Sequence, residues 1–413
     1  MTSPAPSAKD LVRPFMPELD SLRGLAILGV LLLHGFYWQY DASHFTGLAR
    51  LLVLATKPGW LGVNLFFVLS GFLITGILLD SRSDPRYYPQ FYMRRALRIL
   101  PAYYLLLALL AVLRQASGAY LGLSFFYLAN VTTLLGVAND YGPLWSLAVE
   151  EQYYIFWPAV VRRMGLLPLG LFSLAVCVIV PVLRAAAFLS GHAGGIAGYT
   201  WFVADGLAMG SVLAVMLRTS MSRRRVRTIC VLLLSAGAGS VLLGARFGVL
   251  TRDNLLGAAL QHTTINLIFA GVLLLFLLAG TGAGQRYVNS RVLGFFGYIS
   301  YGLYLVHMLV FRIYDQLCGR FFSQLQPAEG QFGLVLVRFA CAAGASIGLA
   351  YVSRRHFENK FLQLKRRMTP ENQSGLSLLP RTQARPAACE LATVGAGSEW
   401  INTSEKAASE RPV

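Results

Sequence analysis

An arginine and a histidine stand eleven residues apart in one apolar stretch, Ser21-Leu22-Arg23-Gly24 through Leu31-Leu32-Leu33-His34-Gly35. At about 100° per residue, eleven steps turn about 1100°, three full turns plus about 20°. Arg23 and His34 therefore share a helical face, with His34 about 16 Å further along the axis. An ionisable side chain that far into an apolar helix is costly to solvate in lipid and marks a functional site to be explained. An imidazole there suits acid–base work. The bland alternative is a histidine bonded to a neighbouring helix.

Two other stretches put ionisable groups in apolar surroundings. His307 closes Tyr301-Gly302-Leu303-Tyr304-Leu305-Val306-His307, and Glu150 and Glu151 sit inside Leu144-Trp145-Ser146-Leu147-Ala148-Val149-Glu150-Glu151-Gln152-Tyr153-Tyr154. His34 and His307 lie about 20 and 22 Å from the starts of helices running the same way, and the carboxylates about 10 Å from the opposite face. In a hydrocarbon layer about 30 Å thick they reach one level. Two imidazoles and a carboxylate in one shared cavity would form an internal acid–base site.

Each group has a structural alternative. Glu150 and Tyr154 are four apart and can pair on one helix face, and Glu150 can orient a histidine rather than react. His307 has Tyr298, Tyr301 and Tyr304 nearby to satisfy it. Glu151, about 100° further round, is read as pore-lining or as a partner contact. Asp205, in Ala204-Asp205-Gly206-Leu207, is site-lining or packing. Ser70 has no GxSxG elbow and is read as packing.

The opposite mouth is basic. Arg94-Arg95-Ala96-Leu97-Arg98-Ile99-Leu100-Pro101 spaces arginines by three and four. Arg95 and Arg98 project from one side, able to grip phosphates by forked hydrogen bonds or simply to anchor the chain at a membrane face. With Arg23 at the same mouth, a phosphate-bearing donor could extend a thin, pantetheine-like arm over the ~16 Å to His34.

Membrane helices must position these residues. The 413-residue chain is 55% hydrophobic and 13% charged, and its apolar residues come in long blocks, which excludes a soluble enzyme. The net charge of +17 comes from basic residues beside apolar runs, so it signals orientation and not a nucleic-acid surface. The first twenty residues precede an uncleaved first helix. The five cysteines (Cys177, Cys230, Cys318, Cys341 and Cys389) have no CxxC spacing, which indicates neither a disulfide framework nor a metal site. No P-loop, HExxH or dinucleotide fingerprint suggests ATP, zinc or NAD chemistry.

Eleven apolar runs lie near 21–40, 58–79, 97–113, 119–138, 144–161, 166–189, 200–217, 228–249, 263–280, 292–314 and 332–352. Placing the basic segments in the cytoplasm makes 119–138 and 144–161 count as one crossing. The Asn-, Thr- and Gly-rich 119–138 run is then a re-entrant segment, which is tolerated where protein or a cavity surrounds it. The expectation is an all-α integral membrane protein, a polytopic bundle of about ten transmembrane helices (eleven if 119–138 also crosses), with both termini cytoplasmic. Residues 1–20 form a cytoplasmic segment, 21–362 the transmembrane domain, and 363–413 a disordered cytoplasmic tail.

In order along the chain, five blocks resemble the acyltransferase 3 family of membrane O-acyltransferases. They are Leu19-Asp20-Ser21-Leu22-Arg23-Gly24 with His34; Gly62-Val63-Asn64-Leu65-Phe66-Phe67-Val68-Leu69-Ser70-Gly71-Phe72; the arginines ending Arg98-Ile99-Leu100-Pro101; Trp145 through Tyr154; and Gly297-Tyr298-Ile299-Ser300-Tyr301 through His307. Glu358 matches a further family position. The resemblance covers most of residues 17–362 and implies transfer of an acyl group, usually acetyl from cytoplasmic acetyl-CoA, to a hydroxyl of a carbohydrate or glycoside, often at the outer face of the inner (plasma) membrane. The family's arginine–histidine pair falls on Arg23 and His34 and its RxxR element on Arg95 and Arg98; joined with the depth argument, this puts His34, Glu150 and His307 at the reacting centre and Arg23, Arg95 and Arg98 on the CoA phosphates. Trp145, Glu151, Tyr154 and Asp205 would face substrate, and no metal is called for. Val203 stands where relatives often carry an arginine, which puts that contact in doubt. O-antigen, capsule, exopolysaccharide, peptidoglycan and a secreted glycoside all fit as acceptor. The competing class is a transporter or flippase of a glycolipid or small metabolite, with the histidines as a proton relay.

Overall fold

A computed structural model describes residues 7–325, 327 and 330–368. They belong to one compact unit within Met1–Leu378. The expected tail lies outside the described residues from position 369 onward, while residues 359–368 form a helix.

Among the described residues the chain is helical throughout, with no strand and only an isolated bridge between Ser7 and Ser222. The helices are α1 Pro17–Gly35, α2 Gly47–Thr56, α3 Leu61–Asp80, α4 Tyr87–Val112, α5 Gly118–Phe125, α6 Leu144–Arg163, α7 Leu166–Leu189 and α8 Thr200–Met216. Then follow α9 Arg223–Phe247, α10 Leu255–Ala279, α11 Gln285–Val288, α12 Arg291–Phe321, α13 Phe332–Val352, a π-helical turn Ser353–Glu358, and α14 Asn359–Met368.

Seven helical stretches are long and apolar enough to cross a membrane: Gly47–Asp80, Tyr87–Val112, Leu166–Leu189, Arg223–Phe247, Leu255–Ala279, Arg291–Phe321 and Phe332–Leu364. Helices α1 and α6 carry their chemistry as charge, with Glu18, Asp20 and Arg23 on the first and Glu150, Glu151, Arg162 and Arg163 on the second. Helix α8 is apolar but only 17 residues long. The expected re-entrant run 119–138 holds the short α5, a 3-10 turn at Thr132–Leu135 and irregular chain. Its carbonyls are satisfied from neighbouring helices: Tyr103 Oη donates to Ser124 at 2.7 Å, and Gln152 Nε2 to Tyr127 at 2.9 Å.

Helix α1 is the hub, packed most extensively on α12 and also on α3, α10 and α13. Small residues permit that closeness. A Cβ on Gly24 would collide with the Leu293 carbonyl, and one on Gly297 with the Asp20 carbonyl, so α1 and α12 meet backbone to backbone. Gly71 and Gly210 do the same for α3 and α8.

Candidate active site

The close approach of α1 and α12 brings His34 and His307 together, with ring centroids 5.0 Å apart. His307 Nδ1 lies 3.0 Å from the Leu303 carbonyl and 2.8 Å from the Tyr304 carbonyl. Carbonyl oxygens only accept, so this nitrogen carries the proton and Nε2 is an acceptor. His307 Nε2 sits 3.1 Å from His34 Nδ1, which is also 3.0 Å from the Val30 carbonyl. Two acceptors at His34 Nδ1 fix its proton there and leave Nε2 with a lone pair. That is the form a general base needs.

His34 lines a cavity of about 680 Å³ together with Trp38, Trp60, Asn64, Trp145 and Tyr304. His307 is fully buried and is not part of this wall. The two histidines thus differ in place: one faces the cavity, and the other holds it from behind.

A second cavity, about 110 Å³, is lined by Arg23, Arg95 and Arg98 with Ser70, Glu150 and Tyr154. Arg23 pairs with Asp20 at 2.7 Å, and Arg95 stacks 4.9 Å over the Tyr154 ring. Arg98 sits in the field of Arg23, Arg95 and Arg354. Arg354, on the π-helical turn, pairs with Glu358 at 3.1 Å. Among the described residues neither Arg95 nor Arg98 forms an ion pair. Such a crowd of guanidinium groups around a narrow space fits phosphate oxygens.

Glu150 corrects one expectation. It belongs to the arginine cavity and not to the histidine cavity, accepting from Ser70 Oγ at 3.1 Å and Tyr154 Oη at 2.9 Å. Ser70, read as packing, is therefore a hydrogen-bond donor to this carboxylate. The reason lies at the start of α6, where Leu144 is already fully buried. Trp145 lines the histidine cavity, Ser146 lines the arginine cavity, and Glu150 falls a turn beyond. Val63 and Tyr304 stand in both walls, and Tyr304 Oη is 2.6 Å from Ser146 Oγ. Tyr304 is the partition between the two spaces.

Asp205 is a second correction. It lines neither cavity; Arg184 holds it with two bonds of 3.2 and 2.9 Å, and Thr263 Oγ1 donates to it at 2.9 Å. This fully buried pair ties α7, α8 and α10, because a buried charge must be compensated. The guanidinium comes from α7, while Val203 packs among Phe67, Val149 and Leu207. Glu151 also lines neither cavity; its electrostatic neighbours include Arg95, Tyr103 and Tyr127. Trp145 does face the large cavity, edge-on to Phe67 at 5.9 Å.

Sequence reasoning missed Arg252 and His262, which line the histidine cavity with Asn64. These residues fall between the apolar runs 228–249 and 263–280, whereas Asn254 caps a helix beginning at Leu255, its side chain accepting from the Gly257 N–H at 2.9 Å. An asparagine ahead of an apolar run is the N-cap signal that could have found it.

Comparison with known proteins places these cavities in a family. The family described as "Acyltransferase domain" matches residues 16–355. The "Peptidoglycan O-acetyltransferase OatA" of Listeria monocytogenes is 33% identical over 168 residues, which is 36% of this chain and 24% of that protein. The "Putative peptidoglycan O-acetyltransferase YrhL" of Bacillus subtilis is 35% identical over 168 residues, 35% of this chain and 23% of that one. The matched segment spans about a quarter of the length of these curated relatives. No solved structure matches.

Proposed function

The chain belongs to the acyltransferase 3 family, and from that premise we propose that it is a plasma-membrane O-acetyltransferase acting on an extracytoplasmic carbohydrate. In this reading α1, α6 and α8 join the seven long apolar helices as ten spans with both termini cytoplasmic. The arginine cavity then opens to the cytoplasm and the histidine cavity to the outside.

One observation carries the proposal: a histidine with its proton fixed on Nδ1 and its Nε2 lone pair free stands in a roomy cavity backed by a narrow arginine-lined one. Arg23, Arg95 and Arg98 would hold the phosphates of acetyl-CoA, which when bound supplies an activated thioester. The ~16 Å from Arg23 to His34 along α1 suits a thin arm passing the Tyr304 partition. Trp38, Trp60 and Trp145 offer broad faces to a sugar, with Asn64 and Asn130 as polar contacts. His34 Nε2 would take the proton of the acceptor hydroxyl as its oxygen attacks the acyl carbon; the thioester C–S bond would then break and the proton pass from His34 to the departing CoA sulfur. Glu150 would hold Ser70 and Tyr154 in the donor passage and offset the arginine charge.

The test uses purified protein in nanodiscs with labelled acetyl-CoA and peptidoglycan fragments or other glycans, following CoA release and label transfer. His34→Ala is expected to lower transfer at least about a hundredfold, the low end for a general base. Wild-type rates in that variant, at normal protein level, would sink the mechanism.

A further inference from the structure

Resting on the acetyl-transfer reading, we propose that the acceptor is an anionic glycan, its carboxylate or phosphate bound at Arg252 and Lys57 in the wall of the histidine cavity. The arrangement starts with Arg252, whose Nε donates to Gln261 Oε1 at 2.9 Å and whose Nη2 lies 3.3 Å from His262 Nε2. A guanidinium only donates, so His262 accepts at Nε2 and carries its proton on Nδ1. Nδ1 is 3.1 Å from the Asn64 amide, which must then present its oxygen. Asn266 lies 3.1 Å beyond. Turning both amides to suit keeps this bond, with Asn266 Nδ2 donating to the Asn64 oxygen.

The chain Asn266–Asn64–His262–Arg252 thus fixes the guanidinium using neutral groups alone. Trp60 adds its face, 5.6 Å from the guanidinium carbon. Among the described residues Arg252 forms no ion pair, so its charge stays uncompensated and its Nη1 edge is free to donate. Lys57 lines the same cavity, its ammonium 5.5 Å over the Tyr37 ring, also without an ion pair. Among the described residues Asp253 is the only carboxylate in this wall. Two exposed cations beside three tryptophans describe a subsite for a sugar that carries negative charge.

The experiment measures binding in nanodiscs without donor, so that it reads the subsite alone. Three probes are compared: a chitin pentamer, an oligomer alternating N-acetylglucosamine with glucuronate, and a chitin pentamer bearing a terminal phosphate. At least one anionic probe is expected to bind about tenfold tighter than the neutral one, with the advantage shrinking at high salt. The tighter of the two identifies carboxylate or phosphate as the group recognised. Arg252→Gln with Lys57→Gln should bring anionic binding down to the neutral level and leave neutral binding unchanged. Equal binding of all three, no binding of any, or a preference that survives the double substitution would overturn the proposal. No CoA release or label transfer with any glycan, with the charge preference intact, would instead remove acetyl transfer and leave the subsite standing.

Discussion

The lone pair on His34 Nε2 exists because His307 and the Val30 carbonyl both claim the proton of His34 Nδ1. Two carbonyls fix His307 in turn, so in the proposed mechanism the pair is a positioned base and a positioning residue. Replacing His307 with Phe leaves only the Val30 carbonyl on His34 and frees its ring to rotate. Loss of such an orienting partner typically costs about 10–100-fold, and here it should fall on kcat. The KM for acetyl-CoA should hold, since no arginine is touched. His307→Gln, which keeps an acceptor oxygen, should recover part of the rate. Steady-state CoA release measures both, and equal losses in the two variants would make His307 a packing residue only.

At the scale of elements, contacts without direct chemistry hold the site-bearing helices. Asp205 and Arg184 join α7, α8 and α10 from inside the bundle, lining neither of the two cavities. Asp205→Ala strands a buried guanidinium and should cost about 3–5 kcal/mol of stability, while Arg184→Met with Asp205→Leu should recover most of it. Unfolding in detergent followed by heat tests this, and a KM effect in the double variant would return Asp205 to the site. Much of this level was legible beforehand. The 3.6-residue period put Arg23 and His34 on one face of α1, and apolar run length found most of the helices. What could not be read was lateral placement. Counting rise along α6 gives depth from Leu144 but not where the membrane face stands, and Leu144 is itself fully buried. That is why Glu150 was expected beside the histidines and lies with the arginines. Asp205 misled for a related reason: its partner Arg184 is 21 residues away on another helix, and no local pattern announces it.

For the molecule as a whole, the decisive feature is that the two cavities touch without merging. Tyr304 and Val63 belong to both walls, and the Tyr304 hydroxyl is tied to Ser146 at 2.6 Å. In the proposed reaction, with donor on one side and acceptor on the other, the protein must pass an acyl arm while keeping water from the thioester. The Tyr304 ring, wedged near Phe66 at 6.1 Å and His307 at 5.9 Å, is suited to that duty. Tyr304→Phe removes the bond to Ser146 but keeps the ring, so transfer should change only a few-fold, by the ~1 kcal/mol of one hydrogen bond. Tyr304→Ala removes the partition itself. Water then reaches the donor, and acetyl-CoA hydrolysis without acceptor should rise while label transfer per CoA released falls. The ratio of transfer to release, measured in the same nanodiscs, separates this from simple loss of fold, which lowers both together. If Tyr304→Ala keeps the wild-type ratio, the partition is not what keeps water from the thioester.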